Sequence, residues 1–192
     1  MIDITALYCG GETPSILHRY GRALKGLRLQ DEGHAVAPSA RERRPIVVWN
    51  VTRTCNLRCV HCYSDSEPRR YPGELTTEEA KALIEDLSDF RIPALLLSGG
   101  EPLIRPDLFA LASYARKRSL RLVLSTNGTL ITPQVAELIK GTGFSYVGIS
   151  LDGLETVNDR FRGVEGAYRR TLQGFRNLVR AGQKAGLRRT LT

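Results

Sequence analysis

The chain has 192 residues, 42% of them hydrophobic and 25% charged, which is typical of one globular core and too short for two domains of ordinary size. No apolar run is long enough to span a bilayer, and residues 1–5 do not resemble a signal peptide, so we expect a cytoplasmic protein without membrane association. The formal net charge is +8, but no aromatic residues interleave with the scattered arginines. This pattern excludes a nucleic-acid partner from our expectations and leaves an acidic small molecule or a solvated basic surface.

The first 44 residues carry little periodic signal and are predicted to be an N-terminal extension and linker. Ile2, Ile4 and Leu7 alternate like a short strand, and the polar stretch 31–44 is typical of a surface loop. The character changes at Pro45, so we expect the core domain to occupy residues 45–192.

The core domain alternates between apolar strand patterns and amphipathic helix patterns. Strands are predicted at 45–51, 94–98, 122–125 and 146–150, and Leu187 begins a possible fifth. The run 45–51 is typical of a strand buried on both faces. Helices are predicted from the capping box Thr76–Glu79, around 108–115, after Pro133 and over 168–179. This alternation predicts an α/β fold with about four complete parallel β/α units, forming a partial, open barrel rather than a closed one.

Three of the four cysteines fall close together, at Cys55, Cys59 and Cys62, just after the first predicted strand. Thiolates favour zinc or iron–sulfur clusters, and a structural zinc site normally needs four closed ligands. The remaining thiol, Cys9, is remote in sequence, and His61 is too close to Cys62 to chelate easily beside it. The spacing therefore favours an iron–sulfur cluster with one open iron, and leaves a zinc site or unligated thiols as alternatives.

Polar motifs follow the other three predicted strands. Each motif alone is also compatible with a simple turn. Because the carboxyl ends of parallel strands share one edge of the sheet, we expect the motifs to lie near the cysteines. The candidate residues are Gly99, Gly100, Glu101 and Pro102, then Ser125 and Asn127, then Ser150 and Asp152.

Together these motifs resemble those of the radical S-adenosylmethionine superfamily. The resemblance implies that the three cysteines bind a 4Fe-4S cluster and that S-adenosylmethionine chelates the fourth iron. It implies that His61 lies near the adenine and that the Gly99–Pro102 motif contacts the methionyl amino group. The later motifs would lie near the ribose and the rest of the cofactor, with Arg162 as a weaker candidate for its carboxylate. No side chain is assigned as catalytic acid or base.

Residues 45–57, with short motifs near the N-terminus, are similar to the tetrapyrrole-modifying branch of that superfamily. The branch implies radical removal of acetate side chains from a siroheme-derived, carboxylated tetrapyrrole in heme biosynthesis. It also implies an electron donor such as ferredoxin or flavodoxin. Members of the branch are longer and carry further cysteines, so the chain looks truncated, and a separate chain would supply the missing C-terminal half.

Three alternatives remain at this point. The chain could be another radical S-adenosylmethionine enzyme with an auxiliary-cluster domain, acting on a peptide or other substrate. It could instead be a catalytically inactive fragment that binds the cluster. A zinc-stabilised binding module is the third alternative.

Overall fold

The computed structural model describes residues 44–188. Five strands and five helices alternate along this part of the chain, with one short 3₁₀ turn at Pro102–Ile104. The strands are β1 (Val47–Thr52), β2 (Leu95–Gly99), β3 (Leu122–Thr126), β4 (Tyr146–Ser150) and β5 (Ala185–Arg188). The helices are α1 (Thr77–Asp89), α2 (Leu108–Lys117), α3 (Pro133–Thr142), α4 (Glu155–Arg162) and α5 (Ala167–Arg180).

The strands form one parallel sheet in the order β1-β2-β3-β4-β5. Each strand thus pairs with the next along the chain, and within residues 44–188 the sheet is open. The predicted α/β fold, an open sheet of parallel β/α units, is confirmed. The fifth strand begins at Ala185, two residues before the predicted start at Leu187.

The hydrophobic core lies between the central strands and the helices. Leu95, Leu97, Leu122 and Leu124 are fully buried on β2 and β3, and they pack with apolar residues of α1, α2 and α3. The expectation that β1 is buried on both faces is wrong. Val48 is 55% exposed, because β1 pairs only with β2 among the described residues and its alternate side chains face outward.

Two predicted helix starts have the expected caps. The Thr76 side chain accepts a hydrogen bond from the Glu79 N–H, and the Glu79 carboxylate accepts one from the Thr76 N–H, which completes the capping box of α1. Thr132 caps α3 in front of Pro133. These caps satisfy backbone donors that would otherwise lack partners, so the two helices begin where the sequence predicts.

The sequence analysis did not predict α4. Its sequence, ETVNDRFR, lacks an apolar stripe, and the side chains it buries are Asn158 and Arg162. The predicted strand near residues 2–7 and the linker before residue 44 lie outside the described part of the chain. Within residues 44–188, no helix has the length and apolar character needed to cross a membrane.

Candidate active site

The carboxyl ends of the strands surround a cavity of about 300 Å³. We call residues 53–67, which follow β1, the cysteine loop; it forms one wall, and the other walls come from the ends of β2 to β5 and from α4. The lining residues are Cys55, Leu57, Cys59, His61, Cys62, Tyr63, Ser64, Ser66, Ser98, Gly99, Gly100, Ser125, Thr126, Asn127, Ser150, Asp152, Arg162 and Arg188.

All predicted site residues line this cavity except Glu101 and Pro102. The structure therefore brings the three cysteines, His61 and the polar residues at the ends of β2, β3 and β4 to one place. Cys9 lies outside the described residues. The contacts of the lining residues with a cofactor stay predictions.

Gly99, the last residue of β2, and Gly100, which follows it, leave room for the end of β1 and the start of the cysteine loop. A Cβ at Gly99 would lie 2.2 Å from the Thr52 carbonyl oxygen, and one at Gly100 would lie 2.4 Å from that of Thr54. The Gly100 N–H donates to the Thr52 carbonyl and the Glu101 N–H to that of Thr54, at 2.8 and 2.9 Å. The motif that contains these glycines is predicted to contact the cofactor. On the side where a Cβ would lie, the space is filled by the backbone of residues 52–54.

The Glu101 side chain is fully buried and does not line the cavity. Its carboxylate accepts hydrogen bonds from the Leu103 N–H, the Thr126 hydroxyl and the Asn127 N–H, at 3.1, 2.8 and 2.8 Å. Burial raises the pKa of Glu101, although these three donors oppose the shift. In this structure Glu101 joins the end of β2 to the turn after β3 and positions that turn against the cysteine loop.

Asn127 joins the turn after β3 to the cysteine loop. Its side-chain amide donates to the Asn56 side chain at 2.9 Å and lies 3.9 Å from the Cys55 sulfur. Asn56 in turn donates to the Thr129 hydroxyl at 2.8 Å. Because Asn127 is buried, these hydrogen bonds hold the loop against β3 with little competition from water.

The C-terminal end of α4 holds the other side of the cysteine loop. The Arg58 N–H donates to the Arg162 carbonyl at 3.0 Å, and the Val60 N–H donates to the Phe161 carbonyl at 2.9 Å. Gly163 ends the helix with φ +66°, and a Cβ there would lie 2.2 Å from the Arg58 carbonyl oxygen. A helix that sequence periodicity missed is thus a main support of the loop.

Each of the three thiols accepts a hydrogen bond, two from backbone groups of the cysteine loop and one from a side chain of α4. Cys55 accepts from the Leu57 N–H at 3.4 Å, Cys59 from Arg162 at 3.6 Å, and Cys62 from the Ser66 N–H at 3.4 Å. Hydrogen bonds to sulfur favour the thiolate, the form that binds metal. The donor set therefore fits a site that holds three thiolates.

The three thiols differ in the net direction of their pKa shifts. Burial raises the pKa of Cys55 to about 11, and it also raises the pKa of Cys59, where the Arg162 guanidinium partly opposes it. Burial acts in the same direction on Cys62, but hydrogen bonds from Ser64 and Ser66 outweigh it, and the net pKa of Cys62 is lowered. Cys62 is therefore the thiol that deprotonates first as pH rises.

An ion pair with a neighbouring histidine connects the cysteine loop with the end of β4. The Arg162 guanidinium forms an ion pair with the Asp152 carboxylate, and the His61 Nε2 lies 3.3 Å from the same carboxylate. The His61 ring also packs on Phe161, with 5.2 Å between ring centroids. Asp152 and Arg162 are both buried, so their charges interact strongly with each other and with the Cys59 sulfur.

Arg188 is a cavity residue that the sequence analysis missed. It lies on β5, and its guanidinium crosses Gly148 of β4 to reach Ser125 on β3. A glycine inside the apolar run of β4 was the signal for this close approach. Among residues 44–188, no three cysteine, histidine or acidic side chains are close enough to share a single metal ion, so the fit of the three thiols concerns a cluster of several irons and not one ion.

The family model of the radical S-adenosylmethionine superfamily matches residues 49–191, which include the whole described sheet except the first residues of β1. The chain belongs to the radical S-adenosylmethionine superfamily. Its cofactors are those of the superfamily, a 4Fe-4S cluster and S-adenosylmethionine. The matched residues include the cysteine loop and the polar strand ends that line the same cavity.

Several curated relatives come from the tetrapyrrole-modifying branch. Fe-coproporphyrin III synthase of Methanosarcina barkeri is 50% identical over 191 residues, covering 100% of this chain and 47% of the relative. Pre-heme d1 synthase of Dinoroseobacter shibae is 53% identical over 149 residues, covering 78% of this chain and 37% of the relative. The predicted branch is confirmed, and the chain spans less than half the length of these relatives.

Solved radical S-adenosylmethionine structures share the fold. Streptococcus suis SuiB bound to the precursor peptide SuiA has a TM-score of 0.65 at 16% identity, covering 95% of this chain and 45% of SuiB. The protein anSMEcpe with bound AdoMet has a TM-score of 0.62 at 21% identity, covering 73% of this chain and 42% of that protein. At these identities the likeness concerns the fold alone.

Proposed function

We propose that this chain binds a 4Fe-4S cluster and S-adenosylmethionine in the strand-end cavity and acts on a carboxylated tetrapyrrole in heme biosynthesis. The observation that carries the proposal is the convergence of three hydrogen-bonded thiols with the polar ends of β2, β3 and β4 on one cavity. When bound there, the cluster and S-adenosylmethionine would supply radical chemistry at a substrate C–H bond. The protein has to bind, orient and shield these groups.

Cys55, Cys59 and Cys62 would hold the cluster. Their thiols are free and their sulfurs face hydrogen-bond donors, which supports binding as thiolates. Free thiols in a cysteine loop suit a reducing compartment, so we place the protein in the cytoplasm.

The polar walls would hold S-adenosylmethionine. Backbone groups of Gly99 and Gly100 would face its methionyl group, and Ser125, Asn127, Ser150 and Asp152 would orient its polar atoms, with His61 beside the adenine. Glu101 and Pro102 lie behind this wall. We therefore assign Glu101 a positioning role, through the donors on Leu103, Thr126 and Asn127, instead of a direct contact.

The substrate class is inferred from relatives that cover 100% and 78% of this chain. These relatives are named as synthases of Fe-coproporphyrin III and pre-heme d1, and both products are tetrapyrroles. We infer removal of acetate side chains from a siroheme-derived tetrapyrrole, with an electron donor of the ferredoxin or flavodoxin class.

Anaerobic reconstitution with iron and sulfide tests the cofactor assignment. The wild-type chain should develop a brown 4Fe-4S spectrum and, with dithionite and S-adenosylmethionine, release 5′-deoxyadenosine. Cys59→Ala should abolish the cluster because it removes one of three ligands, whereas the matched variant Cys9→Ala should retain it. A colourless wild-type protein, bound zinc in its place, or loss of the cluster in Cys9→Ala would contradict the ligand assignment.

Substrate class is tested separately, on reconstituted protein that cleaves S-adenosylmethionine. Siroheme-derived tetrapyrrole should increase deoxyadenosine release and lose acetate groups, as measured by mass spectrometry. Turnover of a peptide with no effect of the tetrapyrrole would favour the peptide alternative. Cleavage of S-adenosylmethionine with neither substrate consumed would support a cluster-binding fragment.

A further inference from the structure

Two guanidinium groups line the cavity, and they differ in their partners. Arg162 forms an ion pair with Asp152, which offsets its charge. Within the described part of the chain, Arg188 forms no ion pair with an acidic side chain. The hydrogen bonds of its Nη2 go to the Ser125 hydroxyl and to the Gly148 carbonyl, the latter at 2.9 Å. Among the described residues, Arg188 is therefore a cavity cation whose hydrogen-bond partners are all uncharged.

The fold makes specific room for the Arg188 side chain. Arg188 pairs in register with Ser150 on β4, but its guanidinium passes over Gly148. A Cβ at that position would lie 2.5 Å from the Arg188 Nε. Any side chain larger than hydrogen at position 148 would thus displace the guanidinium from the cavity wall.

The Arg188 guanidinium also has unused hydrogen-bonding capacity. Its Nε is buried and lacks a hydrogen-bond acceptor in the described residues. Burial lowers the pKa of Arg188, the direction expected for a cation removed from water. Arg188 is partly buried. Removing a cation even partly from water without a counter-charge is costly, and a bound anion would offset that cost.

We propose that Arg188 binds a carboxylate of the ligand that occupies the strand-end cavity. A planar guanidinium recognises a carboxylate through two parallel hydrogen bonds, which a lysine does not reproduce. The inference rests on the proposed function, in which two ligands bring carboxylates to this cavity: the methionyl group of S-adenosylmethionine and the side chains of the tetrapyrrole. The chemistry is the same for both, so the experiment has one arm for each.

The first arm compares S-adenosylmethionine with its decarboxylated analogue, using the reconstituted wild-type chain and Arg188→Gln. If Arg188 binds the methionyl carboxylate, the variant should weaken the dissociation constant of S-adenosylmethionine by about 10- to 100-fold. It should leave that of the decarboxylated analogue unchanged. Arg180→Gln, an exposed residue at the end of α5, makes the same change of charge and should alter neither constant.

The second arm titrates coproporphyrin III and its tetramethyl ester, followed by absorbance. If Arg188 binds a tetrapyrrole carboxylate, Arg188→Gln should weaken the acid by about 10- to 100-fold and leave the ester and S-adenosylmethionine unchanged. Gly148→Ala keeps the charge and should reproduce the loss by displacing the guanidinium, which guards against misfolding of one variant. If both variants bind all four probes as the wild type does, the inference is overturned.

Failure of the proposed function gives a different result. A wild-type chain without cluster or deoxyadenosine would contradict the cofactor assignment. The porphyrin arm needs no cluster and still tests Arg188. A wild-type chain that forms deoxyadenosine while neither arm responds to Arg188→Gln would overturn the Arg188 inference alone.

Discussion

Replacing Gly163 by alanine tests whether the end of α4 supports the cysteine loop. Gly163 has φ +66°, and an added Cβ would lie 2.2 Å from the Arg58 carbonyl oxygen. Gly182 has nearly the same φ, +69°, and nothing lies within 4 Å of an added Cβ there. Gly182→Ala is therefore a matched control that carries the cost of the left-handed conformation, about 1–2 kcal/mol, without the clash.

The clash should cost Gly163→Ala further stability. To relieve it, the loop must move away from α4 and lose the hydrogen bonds from Arg58 and Val60, each worth about 0.5–1.5 kcal/mol. We expect Gly163→Ala to lose about 1–3 kcal/mol more than Gly182→Ala in urea unfolding of the metal-free protein. We also expect lower iron content after reconstitution in Gly163→Ala only. Equal stability and equal iron content in the two variants would refute the assigned role of α4.

Two further predictions concern charged groups. Arg162→Gln removes a hydrogen-bond donor to the Cys59 sulfur and a nearby positive charge, so the cluster should become harder to reduce, by roughly 60 mV in an anaerobic redox titration. Arg160→Gln on the same helix should not shift the reduction potential. An equal shift in both variants would contradict a specific role of Arg162. A hydrogen bond from Arg105 lowers the pKa of Asp107, so Asp107 stabilises the fold above its ordinary pKa near 3.8, and this contribution is lost as pH falls through the lowered value. Asp107→Asn should therefore cost about 2–4 kcal/mol in urea unfolding near neutral pH and progressively less below pH 3.8, whereas a constant gap would contradict this origin.

The strands and the position of the cysteine loop could be predicted because they depend on local patterns. Apolar runs set the strands, and the capping box at Thr76 set the start of α1. Parallel pairing then brings polar strand ends to one edge whatever the details of packing. These rules were sufficient to place Ser125 and Ser150 beside the cysteines.

The rest of the site depends on contacts between distant segments. α4 buries Asn158 and Arg162 in place of an apolar stripe, so periodicity could not reveal it. The inward orientation of Glu101 follows from donors on Thr126 and Asn127, which lie on the next strand and turn. Arg188 reaches the cavity because Gly148 lies beneath it, and the register of β4 with β5 is needed to see this.

The attachment of the cysteine loop to α4 also bears on when the protein can be loaded with iron. A nascent chain that has been synthesised only as far as β3 already contains Cys55, Cys59 and Cys62 but lacks the Phe161 and Arg162 carbonyls that hold the loop. Chains fold from the N-terminus during synthesis, so the thiols emerge from the ribosome before their support exists. Assembly of the cluster should therefore follow release of the segment through Gly163, and translation itself would delay metal uptake until α4 has been synthesised.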